Sequence, residues 1–409
     1  MTRTAVEWLK LGVALHREGR FAEALEAHEK AAAVDKWMKE ADYTQVAAFD
    51  SLLRWDDPVK HRQCADIGVS KLNCGPPKPM PSVVGRRIRL AYISSDPKEH
   101  AVHRLLSGIL KHHDLSRFEL TEIQPDIAID LMGHTRGNNL HRFAERIAPV
   151  QVAWLGYPGT TGLPTMDYLI ADKFIATDEV KATVSEKLIL MPDCYVCSSR
   201  DPIGSTTRAQ HGLPADAFVF ANFCQANRIT EEAMRVWLRI LRKVPGSVLW
   251  LMGSASAERT AEMRIPIDTL ARKFGIDTKR IIYAKRLPHD WHMARLALAD
   301  LYLDTFPYGS HTTASDVLWA GRPIITIAGK GFPSRVCGSI LTTAGMLELI
   351  VRNWSDYADL AVRSARSPTL HDSVVGRAVR AKSSPLFDGE RFCRNLEQAF
   401  EVMVAFRAP

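Results

Sequence analysis

The sequence lacks the features that mark exported, membrane-spanning and fibrous proteins. Its 409 residues contain no run of about 18 apolar residues, and the N-terminus continues into charged amphipathic sequence without an apolar segment. Hydrophobic residues make up 46% and charged residues 24%, ordinary proportions that disfavour disordered, collagen-like and coiled-coil classes. These absences predict a globular, cytoplasmic protein with no membrane partner, and its length predicts about two to three domains.

Cysteine is also sparse, with seven residues in an odd-numbered set. This is not the dense pattern of a disulfide-stapled secreted domain, and it favours a reducing compartment. Cys194 and Cys197 have the spacing of a redox or zinc pair, but no second CxxC accompanies them. The sequence therefore predicts no metal and no other cofactor.

The charge excess is small, 53 Lys and Arg against 46 Asp and Glu, or +7. It suits an anionic ligand such as a nucleotide, but no basic run with interleaved aromatics appears, so nucleic acid is not expected as a partner. The sequence contains neither a GxGxxG motif nor a P-loop, which argues against dehydrogenases and P-loop ATPases.

The first segment has helical periodicity broken at Gly19, which predicts a helical hairpin. Its spacing fits one tetratricopeptide unit, with small residues where the helices meet. An ordinary helical hairpin is the alternative interpretation. The residues at the matching offsets are Trp8, Leu11, Gly12, Leu15, Ala24, His28 and Ala31. Four prolines between Asn73 and Pro81 then deny backbone donors to helix or sheet, which predicts a linker.

Two series of buried strands alternating with helices follow, which predicts two parallel α/β units in tandem. The predicted strands are Arg87–Asp96, Asp126–Asp130, Met166–Asp172, Ala217–Asn222, Ser247–Met252, Arg280–Tyr283, Leu301–Asp304 and Pro323–Ile327. The predicted helices are Thr230–Arg242, with Thr230 as N-cap, Trp291–Ala299 and a helix after Thr313.

Polar clusters follow several of these strands. In Asp304–Asp316 a strand ends in a glycine-containing loop and a helix begins near Thr312, so free N–H groups and hydroxyls could bind phosphate; plain helix capping is the alternative. Gln225 offers a donor and an acceptor to a base or sugar, and Arg228 offers a permanent charge beside a diphosphate, although a surface arginine is equally compatible.

Two further clusters lie in the first unit. His100 and His103 are three residues apart, which favours proton transfer over metal, with structural histidines as the alternative. The segment Gln151–Gly162 contains three glycines, which permit close backbone approach to a ligand.

In this order the clusters resemble the protein O-GlcNAc transferase family and its bacterial and SPINDLY-like members. The strings that carry the resemblance are Arg89–Asp96, Ala148–Thr160, Val244–Trp250, His311–Thr313, Asp316–Pro323 and Ser383–Asp388.

The resemblance implies an α/β fold of GT-B type, two Rossmann-like lobes with the nucleotide-sugar between them, preceded by a short tetratricopeptide-like hairpin. It implies metal-independent, inverting transfer of GlcNAc from UDP-GlcNAc to Ser or Thr hydroxyls of a protein or peptide acceptor. The expected domains are a hairpin at 1–45, a helical and proline-rich linker at 46–85, a shortened N-terminal lobe at 86–200, a UDP-sugar lobe at 201–380, and a C-terminal helix at 381–409 that crosses back.

The resemblance also implies roles for individual residues. His100 matches an active-site histidine near the acceptor hydroxyl, and Arg228 stands where the family has a lysine that neutralises the leaving diphosphate. The residues that match UDP-sugar contacts are Gln225, Arg228, Leu287, His289, His292, Arg295, His311, Thr312, Thr313 and Asp316. An acceptor or sugar loop would contain Gly156, Pro158, Gly159 and Thr160.

Two departures from the family pattern keep alternatives open. Arg228 replaces the family's lysine, and the resemblance alone predicts that Arg228→Lys keeps or raises activity. The connection after Leu120 is several residues long where relatives carry a strand and a helix, which predicts that the lobe lacks both. A UDP-binding relative with little catalysis, or a transferase of fucose or glucose, are the alternative functions.

Overall fold

The computed structural model describes residues 3–17, 20, 23–24, 26–27, 30–31, 40–97, 100–198, 203–254 and 256–407. The chain forms two compact units. The first contains Met1–Tyr195, Lys330–Pro333 and Glu390–Pro409, and the second contains Val196–Gly329 and Ser334–Gly389.

The N-terminal segment contains helix α1 (Ala5–Arg17), followed by helical residues at 23–24, 26–27 and 30–31. Leu15, Ala24 and Ala27 form a buried cluster, against which Trp8 and Leu11 pack. Alanine at these points lets the two helical segments approach closely. Of the predicted contact positions, His28 lies outside the described residues, and the tetratricopeptide assignment stays a prediction.

Two helices connect this segment to the first sheet: α2 (Glu40–Arg54) and α3 (Pro58–Val69). Asp57 caps α3 by accepting from two backbone N–H groups of its first turn, and Pro58 occupies the first helical position, where its missing N–H costs nothing. The proline-rich stretch that follows has neither helix nor strand, as its prolines predict.

The first unit is built on a parallel six-stranded sheet in the order β2-β1-β3-β4-β5-β6. The strands are β1 (Ile88–Ile93), β2 (Phe118–Leu120), β3 (Ile127–Asp130), β4 (Val150–Ala153), β5 (Tyr168–Asp172) and β6 (Lys187–Met191). Its remaining helices are α4 (Ala101–Leu110), α5 (Leu140–Ala144), α6 (Asp178–Thr183) and α14 (Gly389–Ala405). The strand order reverses between β1 and β3, so the loops after these strands flank the switch point of this sheet.

The short connection between β2 and β3, residues 121–126, crosses β1 without a helix. The register explains how so few residues suffice. Phe118–Leu120 pairs with Ile88–Leu90 on one side of β1, and Ile127–Asp130 pairs with Leu90–Ile93 on the other side. Because β3 begins at the level where β2 ends, the chain does not have to travel back along the sheet as an ordinary parallel crossover does.

Helix α14, the last helix of the chain, is held to the first unit by a buried polar group. Glu397 accepts from Nδ1 of His113 at 3.0 Å and from Arg394 at 2.6 Å, while Tyr92 Oη lies 2.9 Å from the other nitrogen of His113. Ligand atoms of His113, Cys393 and Glu397 lie within 4.8 Å of one another. The Arg394 charge on Glu397 opposes a cation there, so we assign the group to the attachment of the helix.

The second unit contains another parallel six-stranded sheet, in the order β12-β11-β10-β7-β8-β9. Its strands are β7 (Val219–Asn222), β8 (Val248–Met252), β9 (Ile281–Ala284), β10 (Leu301–Leu303), β11 (Ile324–Ile327) and β12 (Ile350–Val351). Its helices are α7 (Glu231–Lys243), α8 (Ala257–Lys273), α9 (His289–Leu296), α10 (Thr312–Trp319), α12 (Trp354–Arg366) and α13 (Pro368–Arg380), and α11 (Phe332–Thr343) lies mostly in it. The order reverses between β7 and β10, which is where ligands bind in open parallel sheets.

Two further features concern the helices and the cysteines. Across the described residues, none of the helices combines the length and the apolar character needed to cross a bilayer. All seven cysteines are present as thiols, and Cys74 is the exposed one.

Candidate nucleotide site

The loops after β7 and β10 lie side by side at the switch point of the second sheet. Asn222, the last residue of β7, connects them because its Nδ2 donates to the carbonyl of Leu303 at 2.7 Å, and its Oδ1 accepts from the N–H of Cys224. The predicted residues Gln225 and Arg228 follow β7, and the segment that starts at Asp304 follows β10. Both predicted clusters of the second unit therefore meet at one edge of the sheet.

Asp304 organises the loop after β10. Its carboxylate is fully buried and accepts from the N–H groups of Thr305 and Ser310 at 2.8 and 2.7 Å, and from Thr326 Oγ1 at 2.6 Å. Burial raises the pKa of Asp304 even though these hydrogen bonds oppose the shift. The loop is thus pulled into a fixed shape by one carboxylate beneath it.

Arg228 lies over this loop. Its guanidinium carbon is 4.0 Å from the ring centroid of Tyr308, and its NH1 lies 3.4 Å from the carbonyl oxygen of Gly309. Among the described residues no carboxylate forms an ion pair with Arg228, so its charge is available to an anion. Gln225, three residues earlier, is exposed.

Helix α10 begins directly after the loop. The side chain of His311 stacks on the ring of Tyr308 with centroids 4.8 Å apart, and Thr312 and Thr313 occupy the first turn of the helix. Asp316, one turn further, is 7% exposed. A helix N-terminus presents free N–H groups and a partial positive charge to an anion, so it reinforces the charge of Arg228.

The segment after β9 forms a third part of the same edge. Arg295 is buried and donates to His292 Nδ1 at 2.7 Å and to the carbonyl of Lys285, while its guanidinium lies 5.0 Å from the ring centroid of Phe223. Burial lowers the pKa of Arg295 to about 10, and no carboxylate of the described chain pairs with it. Arg295 therefore holds His292 with Nδ1 as acceptor, which leaves the other ring nitrogen as the donor.

Leu287 and His289 lie on either side of Pro288, at the start of α9. Leu287 is exposed and His289 is half-buried. All the predicted UDP-sugar residues thus follow three strands, β7, β9 and β10, of the second sheet.

His100 lies in the first unit, where it caps α4. Its Nδ1 is 3.1 Å from Oδ2 of Asp96 and 3.4 Å from the N–H of Val102, and nearly half of its side chain is exposed. His103 lies on the same helix with Nε2 3.1 Å from the carbonyl oxygen of Asp96. His100 therefore follows β1, at the switch point of the first sheet.

The glycine-rich loop of the first unit is packed inside the protein. Pro158, Gly159 and Thr160 are buried, and Gly156 is half-buried. Thr160 Oγ1 donates to the buried carboxylate of Glu186 at 2.7 Å. The close approach that glycine allows is to protein here: a Cβ on Gly156 would lie 1.8 Å from the carbonyl oxygen of Leu131.

The loop after β3 also flanks the first switch point, although it belongs to none of the sequence clusters described above. Asp130 accepts from two backbone N–H groups, and burial raises its pKa to about 6. His134 Nε2 donates to the carbonyl of Thr161 at 2.8 Å, and burial lowers the pKa of this histidine to about 4. Asn139 donates to Ser95 Oγ at 2.9 Å across to the loop after β1. Gly133 and His134, three and four residues after a fully buried strand, were the available signal.

Solved structures show the class of the fold. A lysine-to-methionine mutant of the Thermobaculum terrenum O-GlcNAc transferase matches 99% of this chain with a TM-score of 0.84 and 23% identity, covering 85% of that chain. Anabaena HepE, in complex with UDP and glucose, matches 78% of this chain with a TM-score of 0.54 and 13% identity, over its whole length. Two Rossmann-like units and these matches define a glycosyltransferase fold of GT-B type.

Sequence comparison shows the family. The model of glycosyl transferase family 41 matches residues 121–203 and 198–396, and the chain belongs to this family. The probable UDP-N-acetylglucosamine--peptide N-acetylglucosaminyltransferase SEC of Arabidopsis thaliana is 32% identical over 77% of this chain and 37% of its own length. The corresponding SPINDLY protein of Petunia hybrida is 35% identical over 69% of this chain and 30% of its own length. The chain spans less than half the length of these curated relatives.

Proposed function

We propose that this protein transfers GlcNAc from UDP-GlcNAc to Ser or Thr hydroxyls of a protein or peptide acceptor, with inversion and without a metal. The observation that carries the proposal is the pair of cationic features at the second switch point. Arg228, which has no carboxylate partner in the described chain, faces the same loop from which α10 begins. In a member of glycosyl transferase family 41, this arrangement suits a nucleoside diphosphate.

The chemistry requires that negative charge on the departing UDP be stabilised as the bond between sugar and phosphate breaks. Arg228 and the free N–H groups of Thr312 and Thr313 supply fixed positive charge and donors at that point. Their combined field replaces the charge that a divalent cation would provide, which is the reason for proposing metal-independent transfer. His292, oriented by Arg295, faces the base, and Asp316 accepts from ribose hydroxyls.

We assign the group that acts on the acceptor hydroxyl to the first unit. His100, half exposed and adjacent to Asp96, is the proposed group near the attacking oxygen. We propose a cytoplasmic location, in keeping with the seven thiols, and we expect neither a nucleic-acid nor a membrane partner.

The first test is calorimetric titration of the full chain with UDP in excess chelator. Metal-independent binding predicts the same affinity with and without chelator, and a rise in the thermal midpoint with UDP. Absence of both heat and thermal shift would refute the proposed nucleotide site.

The second test measures transfer. The chain is incubated with peptides that contain Ser and Thr and with UDP-GlcNAc, UDP-glucose or GDP-fucose, and both released nucleotide and modified peptide are quantified. We expect modified peptide with UDP-GlcNAc above the other donors. UDP binding without transfer or hydrolysis from any donor would instead indicate a binding protein.

A further inference from the structure

We infer that Tyr308 is a positioning residue for the diphosphate site, and that its ring is the reason an arginine functions at position 228. The inference rests on the proposed function, because the diphosphate of UDP is the ligand that the positioned groups meet. It assigns a role to a residue that the sequence clusters left without one.

The contacts of Tyr308 carry this inference. Its side chain is only 3% exposed, yet its ring contacts two candidate residues of the site, the Arg228 guanidinium at 4.0 Å and the stacked imidazole of His311 at 4.8 Å, with an angle of 22° between the rings. Thr305 Oγ1 donates to the backbone carbonyl of Tyr308 at 2.8 Å and holds the loop from below. Tyr308 is therefore a fixed surface for two side chains, one from the segment after β7 and the other from the end of its own loop.

The chemistry of the two cations explains why arginine is favoured. A guanidinium is planar and stacks on an aromatic face while its N–H groups remain directed outward, so less freedom is lost when they bind a phosphate. A lysine ammonium is a compact, strongly hydrated charge at the end of a flexible stem, and it gains less from the same ring. We therefore expect Arg228→Lys to lower UDP affinity and kcat. The resemblance alone predicts instead that this variant keeps or raises activity.

A double-mutant cycle tests the inference, with Tyr308→Leu, Arg228→Lys and the double variant compared by UDP affinity and by kcat. Tyr308→Leu should weaken UDP binding roughly 3- to 20-fold when Arg228 is present, the range of a partly desolvated cation–π contact, and less than about 2-fold when it is added to Arg228→Lys. Tyr308→Phe, which retains the ring, is the matched control and should keep most of the affinity.

Equal effects of Tyr308→Leu in the two backgrounds would overturn the inference, since the ring would then act through packing alone. Unchanged UDP affinity and kcat in Arg228→Lys would overturn it as well. Arg228→Lys alters a half-buried side chain at the end of a single 3-10 turn, so it tests the inference even if Tyr308→Leu fails to fold.

A readout without ligand separates this inference from the proposed function. The Nε–H resonance of Arg228, assigned by its loss in Arg228→Ala, should be displaced by the ring current of Tyr308 and should return toward the usual arginine position in Tyr308→Leu. An Arg228 resonance that does not move would refute the stacking itself. Failure of UDP binding or of transfer in the unmodified chain, with the resonance shifted as expected, would count against the proposed function alone.

Discussion

The two units are built on the same kind of sheet but carry different charge. The first has 29 Lys and Arg against 29 Asp and Glu, and the second has 24 against 17, so the +7 of the whole chain resides in the second. Topology alone does not explain this difference, because both sheets have six parallel strands and one reversal of strand order. The excess of positive charge lies in the unit that presents a helix N-terminus and Arg228 at its switch point.

The arginine side chains of the two units also differ in whether a carboxylate pairs with them. In the first unit Arg86 and Arg89 both pair with the fully buried Asp126, and Arg146 pairs with Asp167 at 2.8 Å. At the carboxyl edge of the second sheet, Arg228 and Arg295 have no carboxylate partner among the described residues. Arginines paired with carboxylates hold strands and loops together, whereas Arg228, half-buried and without a carboxylate partner, is suited to a ligand that supplies the anion.

The strongest test of this contrast is Arg228→Ala. We expect kcat to fall roughly 10²- to 10³-fold, the usual scale for one transition-state donor, with a smaller loss of UDP affinity, because the cation gains interaction as the leaving group acquires charge. Turnover and UDP titration measure the two effects separately. Arg239→Ala, at an exposed position of α7, is the control and should leave both unchanged; an unaffected turnover in Arg228→Ala would return Arg228 to the class of ordinary surface residues.

Removing the carboxylate that pairs with arginines in the first unit should lower stability and leave UDP binding unchanged, the opposite of what we expect for Arg228→Ala. Asp126→Ala leaves Arg86 and Arg89 without their carboxylate partner and one strand N–H unsatisfied, so the free energy of unfolding should fall by about 3 kcal/mol, while UDP affinity should stay the same. Chemical denaturation measures the first quantity. The control is Asp178→Ala, which removes an almost fully exposed carboxylate and should change neither the free energy of unfolding nor UDP affinity. A loss of UDP affinity in fully folded Asp126→Ala would contradict the contrast between the two units.

The pH dependence of stability provides a further test of Asp126. Burial by itself would raise the pKa of this carboxyl, but hydrogen bonds from Arg86 and Arg89 outweigh it and lower the pKa below its usual value. The contribution of a group with a depressed folded pKa is present above its unfolded pKa, about 3.9, and is lost as pH falls through the folded value. The stability difference between the unmodified chain and Asp126→Ala should therefore narrow below about pH 4; a constant difference would show that packing, not charge, is responsible.

The smallest expected effect concerns the start of α10. Thr313→Ala removes one neutral hydroxyl and should weaken UDP binding by about 1 kcal/mol, close to fivefold, with little change in kcat, because helix donors hold UDP before and after transfer. Thr313→Ser retains the hydroxyl and should bind UDP as the unmodified chain does. A large loss of kcat in Thr313→Ala would reverse the roles assigned to this residue and Arg228.

The local elements of the second unit were predictable because their signals lie within a few residues. The predicted strand Ser247–Met252 is observed as Val248–Met252, and the predicted helix that starts after Thr230 is observed as Glu231–Lys243, with the Thr230 hydroxyl accepting from Ala233 N–H. Apolar runs, a capping hydroxyl and acidic residues in the first turn act locally, so they can be read directly.

The register of the short β2–β3 connection was not predictable in the same way. The sequence indicates only that few residues join two strands, which suggested missing elements. Pairing of β2 and β3 with different halves of β1 is what makes six residues sufficient, and strand pairing depends on contacts far apart in sequence.

For this protein, the sequence by itself determined the alternation of strands and helices, the polar residues at strand ends and the family to which they point. Only the tertiary structure decided which of those residues meet. Arg228 and Tyr308 are far apart in the chain and are brought together because β7 and β10 are neighbours across a reversal of strand order. That order, and the burial that turns the glycine-rich loop inward, arise from the packing of the whole sheet, which no local pattern records.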